Sequence, residues 1–387
     1  MSFENVPLAE VCEINPKRLE SIANDATVSF LGMADVSEAG TTAPGADRPF
    51  GDVRKGYTAF QDNDILLAKI TPCFQNGKIA QARLARLQGA GSTEFHVLRG
   101  LDGRLDQRYM LHFLRRDQVL IDGERRMTGS GGQRRVPVQF LETLQIPLPP
   151  LPEQRRIAAI LDHADALRAK RRESVGHLAE LSRSIFIEMF GDPERLAGGM
   201  IPLGSVSTIS SGSTPKRSDP ALYGGDTPWV KTGEVKNEVI HATEECVTDE
   251  GVRQARLKTY SPGAILVAMY GQGATRGRVG LLGVRATTNQ ACAVVEPDAA
   301  VLSEFVFDQL KFSYERLRGE GRGGNQPNLN GQLVADFPVY VPALAMQTDY
   351  LHKRTALGRV MSSMKQELES LDTLFSSLQS RAFRGEL

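Results

Sequence analysis

The sequence predicts an α+β fold: two similar mixed α/β domains separated by two long antiparallel helices that form a coiled coil. Three observations predict it. The chain is written twice, with Val6-Pro7-Leu8-Ala9-Glu10-Val11 answered by Ile201-Pro202-Leu203-Gly204-Ser205-Val206, and Asp64–Ala68 answered by Gly263–Ala268, about 195 residues later. Each half then reaches a proline-punctuated stretch, Ile146–Pro149 and Phe337–Tyr340. Beyond each stretch lies a long run with apolar residues at the 3.5-residue period of a coiled-coil seam.

Residues 1–148 read as the first domain, because short apolar runs such as Ile65–Ala68 and Phe95–Leu98 are separated by Gly, Pro, Asn and Asp, the pattern of strands and turns. A helix is expected through Arg108–Leu120, with Met110, Leu111, Leu114 and Gln118 on one face. Pro147, Pro149, Pro150 and Pro152 close the domain, since closely spaced prolines continue neither a ladder nor a helix. Residues 149–192 form the first long helix, from Glu153 to the Gly191-Asp192-Pro193 stop. Its seam is Ile157, Leu161, Ala164, Leu167, Leu178, Leu181 and Ile185, with a polar break around Arg171 that could set register. Residues 193–342 repeat the domain. Residues 343–387 form the second helix, with Leu357, Met361, Met364, Leu368, Leu371 and Leu378 on the seam. Two helices of matched length and seam pair most simply with each other, and the order domain–helix–domain–helix makes the pair antiparallel. The other arrangement, each helix packed on its own domain, leaves nearly forty residues of heptads under-used.

At 387 residues, 41% hydrophobic and 24% charged, the chain has the composition of an ordinary globular protein. Formal net charge is zero, but charge is uneven: Gly251–Val295 holds no Asp or Glu beside Arg253, Arg256, Lys258, Arg276, Arg278 and Arg285. Cys12, Cys73, Cys246 and Cys292 show no C-x-x-C spacing, which argues against a zinc finger or a disulfide framework. No signal peptide and no bilayer-spanning run is read, so a cytoplasmic location and no membrane partner are expected. Phosphate-loop, helicase and adenine-methyltransferase motifs are missing. Gly271–Gly280 lacks the strand-then-helix context of a dinucleotide fingerprint, and the six histidines form no ligand spacing. The chain reads as a binding protein, not an enzyme, with no catalytic residue, metal or cofactor of its own.

Binding to nucleic acid needs cations for phosphates and guanine, and amides for adenine. Polar, Gly-rich loops carry these side chains at matching places in the two halves. The first half offers Lys17 and Arg18, then Gln75 and Lys78, then Gln133, Arg134 and Arg135. The second offers Lys216 and Arg217, then Gln272, Arg276 and Arg278, then Arg322, Asn325 and Gln326, with Lys231 beside the lone tryptophan, Trp229. Any one such loop reads equally well as ordinary polar surface; recurrence in both halves favours binding. Trp229 itself reads as core more readily than as contact.

At these residues the whole chain resembles the specificity subunit of a type I restriction–modification system. The resemblance is carried by Pro147-Leu-Pro-Pro-Leu-Pro-Glu-Gln-Arg-Arg-Ile157, Ile185–Asp192, Gly212-Ser-Thr-Pro-Lys-Arg217, Gly225–Lys231 and Ser380-Arg-Ala-Phe-Arg-Gly-Glu-Leu387. Ala343-Leu-Ala-Met-Gln347 departs from Leu151-Pro-Glu-Gln154 at the equivalent point of the second helix. The resemblance implies that each domain reads one half of a split, asymmetric site in double-stranded DNA. The helices would act as a ruler of about 15 base pairs, from a rod of ~57 Å. It also implies two modification (methyltransferase) subunits bound along the helices and motor-nuclease restriction subunits beyond them, with S-adenosylmethionine, ATP and Mg on those partners. Arg155, Arg156, Arg168, Lys170, Arg171 and Arg172 would then face a partner or simply solvate the coil. The reading from another class is a coiled-coil scaffold with two ligand-binding domains and no DNA role.

Overall fold

A computed structural model describes residues 3–16, 22–130, 132–195, 198–271, 273–322 and 327–387, without the side chain of Ala179. The chain divides into two compact units: Met1–Arg172 with Gln366–Leu387, and Glu173–Lys365. The division falls within the long helices rather than at the domain edges, so each unit holds one mixed domain, the adjoining part of one helix and the opposite part of the other.

In the first unit a four-stranded antiparallel sheet runs in the order Cys12–Ile14, Phe95–Gly100, Ile65–Ala68, Ile79–Gln81. Ile65–Ala68 is buried throughout, because the helix Gln107–Leu114 covers one face and a second sheet the other. That second sheet runs Ala46–Pro49, Thr27–Leu31, Gln88–Gly91, Thr58–Gln61, with Thr27–Leu31 parallel to Gln88–Gly91. Asp106 caps the covering helix through its carboxylate to the amides of Arg108 and Tyr109.

The single helix expected through Arg108–Leu120 is two, Gln107–Leu114 and Asp117–Arg125. Arg116 takes an extended backbone (φ −69°, ψ 139°), and its guanidinium lies over the rings of Phe113 and Phe383. The turn brings Val119 and Gly123 into the core, which a straight helix would not do.

The second unit repeats this plan. Its main sheet runs Ser207–Ser211, Cys292–Pro297, Ile265–Ala268, Val279–Leu282, with Val239–Ile240 added in parallel at the edge. Its second sheet runs Cys246–Val247, Tyr223–Val230, Thr287–Thr288, again with one parallel pair. The covering helix is Ser303–Phe312. The repeat extends to single hydrogen bonds: Leu8 N–H donates to Leu144 O at 2.8 Å, and Leu203 N–H to Phe337 O at 2.9 Å. Two-stranded ribbons, Asn5–Pro7 with Gln145–Pro147 and Met200–Pro202 with Pro338–Tyr340, join the start of each domain to its end.

The long helices span Leu151–Phe190 and Leu344–Ala382. The first begins two residues before Glu153, since Pro152 sits in the opening turn, where its missing N–H has no partner to lose. A fully buried glutamine fastens each helix to its domain. The Gln154 amide donates to Pro149 O (2.8 Å) and Arg104 O (2.9 Å) and accepts from Asp106 N–H (2.8 Å). Gln347 does the same with Pro342 O (2.8 Å), Ala300 O (3.2 Å) and Leu302 N–H (2.8 Å). The two helix starts differ in sequence, yet the junction is the same.

Within each unit the two helical segments run antiparallel. In the first, Arg168 and Arg171 reach Asp372 and Glu367, both at 2.6 Å; in the second, Lys353 Nζ reaches Met189 Sδ at 3.8 Å. Among the buried and half-buried positions of the first helix, one line runs 157, 161, 164, 168, 171, 175, 178, 182, 185 and 189, in alternating steps of four and three. The second helix keeps the same rhythm from 350 to 382. Ile157, Leu161, Ala164, Leu178 and Ile185, and Leu357, Met361, Met364, Leu368, Leu371 and Leu378, lie on this seam. Leu167 and Leu181 do not: they are 43% and 46% exposed, because Arg168 and Ser182 occupy the seam at those turns. The polar break around Arg171 is a set of ion pairs, in which Arg172 also meets Asp372 at 2.7 Å.

Candidate nucleic-acid interface

In each unit the strand at the centre of the main sheet, Ile65–Ala68 or Ile265–Ala268, runs out into a polar loop. A second loop, arriving from the helices that cover the sheet, is stitched to the first. In the first unit Val136 N–H donates to Lys69 O (2.8 Å), Thr71 N–H to Arg134 O (3.0 Å), and Ile70 bridges to Arg135. In the second, Leu329 N–H donates to Met269 O (3.1 Å) and Arg276 donates to Pro327 O, while Arg322 bridges to Asn328 within the arriving loop. Loops read separately in the sequence are thus neighbours, at the same edge of the same sheet in both halves.

The third predicted loop, Ser213–Arg217, reaches the same edge of the second unit. Ser213 N–H donates to Thr288 O (3.0 Å), Thr214 Oγ1 donates to Gln290, and Met269 N–H donates to Ala291 O (2.9 Å). Trp229 is 1% exposed, with its indole N–H on Ser213 O (3.2 Å): it is core that supports this loop. Lys17, Arg18, Gln272, Asn325 and Gln326 lie outside the described residues.

The remaining candidates sort by what already holds them. Arg135 forks onto Glu94 at 2.7 and 2.9 Å, and those hydrogen bonds hold the Glu94 carboxyl below its ordinary value. Arg134 faces Glu124 (3.5 Å), as does the Gln75 amide (3.4 Å), whose Oε1 is buried without a partner among the described residues. Lys78 Nζ donates to Met33 O (3.2 Å). Arg217 lies between Glu245 (2.6 Å) and the rings of Tyr223 and Trp229, each 4.7 Å away. Lys231 is gripped by Glu244 (2.7 Å) and Glu245 (3.0 Å), which push its ammonium up to about 12. Arg276 turns inward to Pro327 O and ties the two loops of its unit.

By contrast Gln133, Lys216, Arg278 and Arg322 have no side-chain partner among the described residues and are exposed or half-exposed. These groups can meet a phosphate or a base edge without first breaking an ion pair. The acid-free stretch 251–295 is less bare than its sequence, since Arg253 pairs with Glu250 and Lys258 with Glu296 just outside it. Glu94, Glu124, Tyr314, Arg318 and Gln290 escaped the sequence reading, because only the fold brings them to these loops.

All four cysteines are free thiols, and burial pushes Cys12 up to about 12. Among the described residues no cluster of His, Cys, Asp or Glu could hold a metal ion, and no helix is long and apolar enough to cross a membrane.

A family model described as "Type I restriction modification DNA specificity domain" matches twice, over residues 2–176 and 199–373. The chain is 42% identical over 160 residues to the Type I restriction enzyme EcoEI specificity subunit of Escherichia coli, 40% of this chain and 26% of that protein. It is 24% identical over 177 residues to the MjaIX specificity subunit of Methanocaldococcus jannaschii, 44% of this chain and 40% of that protein. The aligned part therefore spans only about a quarter to two fifths of these curated relatives. Two solved structures share the fold. One, described as "Structural basis underlying complex assembly and conformational transition of the type I R-M system", has TM-score 0.61 at 17% identity, over 100% of this chain and 98% of the other. The other is the type I restriction–modification S subunit from M. genitalium, with TM-score 0.54 at 17% identity, over 98% of this chain and 96% of the other.

Proposed function

The chain belongs to the type I restriction–modification DNA specificity family, and from that premise we propose that it is the subunit that chooses the DNA sequence for such a complex. Each domain reads one half of a split, asymmetric site, and the chain acts by recognition, leaving bond-making to its partners. The observation that carries this reading is the repeated convergence of loops. In both units two polar loops are stitched together at one edge of the main sheet, and the unpaired Gln133, Arg278 and Arg322 lie on them.

Under this reading the partners are double-stranded DNA, two modification subunits and the restriction subunits. S-adenosylmethionine, ATP and Mg are bound by those subunits, and the complex works in the cytoplasm. The helices, with their half-polar seam, are the scaffold on which the subunits assemble.

The test is genome-wide mapping of methylated adenine in a host expressing the chain with its neighbouring methyltransferase, against a host lacking only this chain. A split motif that disappears with the chain supports the reading. If methylation is unchanged while the partner is expressed and assembled, the scaffold without a DNA role takes its place.

A further inference from the structure

We propose that Arg318, with Tyr314, is the positioning residue of the loop segment Gly273–Arg278, and so sets which bases the second domain accepts. The inference rests on the reading of that loop as DNA-facing, and names a part of the machinery that carries no candidate contact itself.

Arg318 lies on the short helix Tyr314–Gly319, which is anchored in the core of the second unit. Leu317 is fully buried, and Arg316 donates to Pro193 O (2.7 Å) and Pro338 O (2.6 Å). From this base the Arg318 guanidinium spreads over the loop. One amino group donates to Arg276 O (3.0 Å) and to the Tyr314 hydroxyl (3.2 Å); the other donates to Gly273 O (2.7 Å). The Tyr314 hydroxyl donates to Ala274 O (2.7 Å). Three carbonyls of one turn, at 273, 274 and 276, are thus gathered by two side chains from a single helix.

Gly277 makes the close approach possible. Its φ is +84°, in the left-handed region, and a Cβ there would lie 3.2 Å from Arg318 Cβ. The same turn carries Arg276 and leads into Arg278, so the direction of their side chains follows from where these carbonyls are held. A planar fork of fixed geometry can serve two carbonyls at once; an ammonium group on a flexible stem cannot hold the same course.

The first domain uses different means. There Phe74 is fully buried against Gly123, where any Cβ would fall 2.4 Å from the ring. An apolar wedge sets that loop, so a change at Arg318 has no counterpart in the other half.

The experiment maps methylated adenine in hosts carrying the full chain with its methyltransferase, wild type, R318K or Y314F. The purified complexes are also melted. The expected result for R318K is an unchanged first half-motif, a relaxed second half-motif with discrimination down by about tenfold at one or more positions, and an unchanged thermal midpoint. Y314F gives a smaller relaxation in the same half. Should R318K fail to fold, Y314F decides alone. Full stringency in both half-motifs overturns the proposal, as does a uniform loss of methylation at an unaltered motif, which marks simple destabilisation. A wild-type chain that directs no split motif overturns the DNA reading as well, and is recognised without any variant.

Discussion

Arg276 and Arg278 are two residues apart and chemically identical, and the fold gives them opposite tasks. Arg276 is turned onto Pro327 O, while Arg278 has no side-chain partner among the described residues. R278Q should therefore weaken DNA binding by the assembled complex and reduce the slope of log affinity against log salt by about 0.9, the signature of one lost phosphate contact. R276Q should weaken binding with the slope unchanged; equal slopes for both variants would contradict the assignment. This distinction was closed to the sequence, which shows that an arginine is in a loop but not which way it leaves the backbone. Arg135, Arg217 and Lys231 teach the same lesson, since the carboxylates that hold them are 41, 28 and 13 to 14 residues away along the chain.

A titratable group at the base of the first unit gives a second prediction at this scale. Burial alone would raise the Asp162 carboxyl, but hydrogen bonds from His112 (2.7 Å) and Arg108 outweigh it and hold the group well below the ordinary carboxylate range. A depressed folded-state pKa contributes stability above the ordinary carboxylate value and loses it as pH falls through the folded value. D162N should flatten the acid limb of stability between neutral pH and the acid extreme. Melting curves of the purified protein across that range check it; an acid limb as steep as in the wild type would refute it. Asp162 is partly exposed, so solvent screens part of the effect.

Among the elements, the long helices were the most legible, because heptad spacing survives in a bare sequence. What was not legible was the phase within a turn. Leu167 and Leu181 look like better seam residues than Arg168 and Ser182, yet antiparallel pairing with Asp372 nearby makes the arginine the better neighbour. Stability should follow the observed phase. L161A, at a fully buried position, should cost about 2–5 kcal/mol, while L181Q should stay within about 0.5 kcal/mol. Denaturant unfolding of the two variants decides between the phases. The short mixed elements were harder: Arg116 ends a helix that periodicity alone would continue, for the sake of two aromatic faces.

For the molecule as a whole, duplication was the strongest signal in the sequence, and the structure carries it down to matched hydrogen bonds at Leu8 and Leu203. Repetition of the frame leaves the loops free to differ. Exchanging residues 193–342 for the matching domain of a relative should change one half of the methylated motif and leave the other intact. Methylation mapping of the chimera reads both halves at once, and a change in both would end the modular view. The base sequence itself was never legible, since it depends on the aim of loop side chains rather than on their identity.

If the domains are exchangeable in this way, Gln154 and Gln347 supply part of the physical footing. Each grips its domain only through main-chain groups, two carbonyls and one amide. Such a grip cannot tell which side chains the domain carries. It is the part of the joint that any domain following the same chain path can reuse, whereas Asp162, held by Arg108 and His112, and Phe383, packed on Tyr109 and Phe113, ask the incoming domain for particular side chains. Under the proposed reading, a traded domain therefore brings its new specificity at the cost of matching a few helix side chains, not of rebuilding the whole joint.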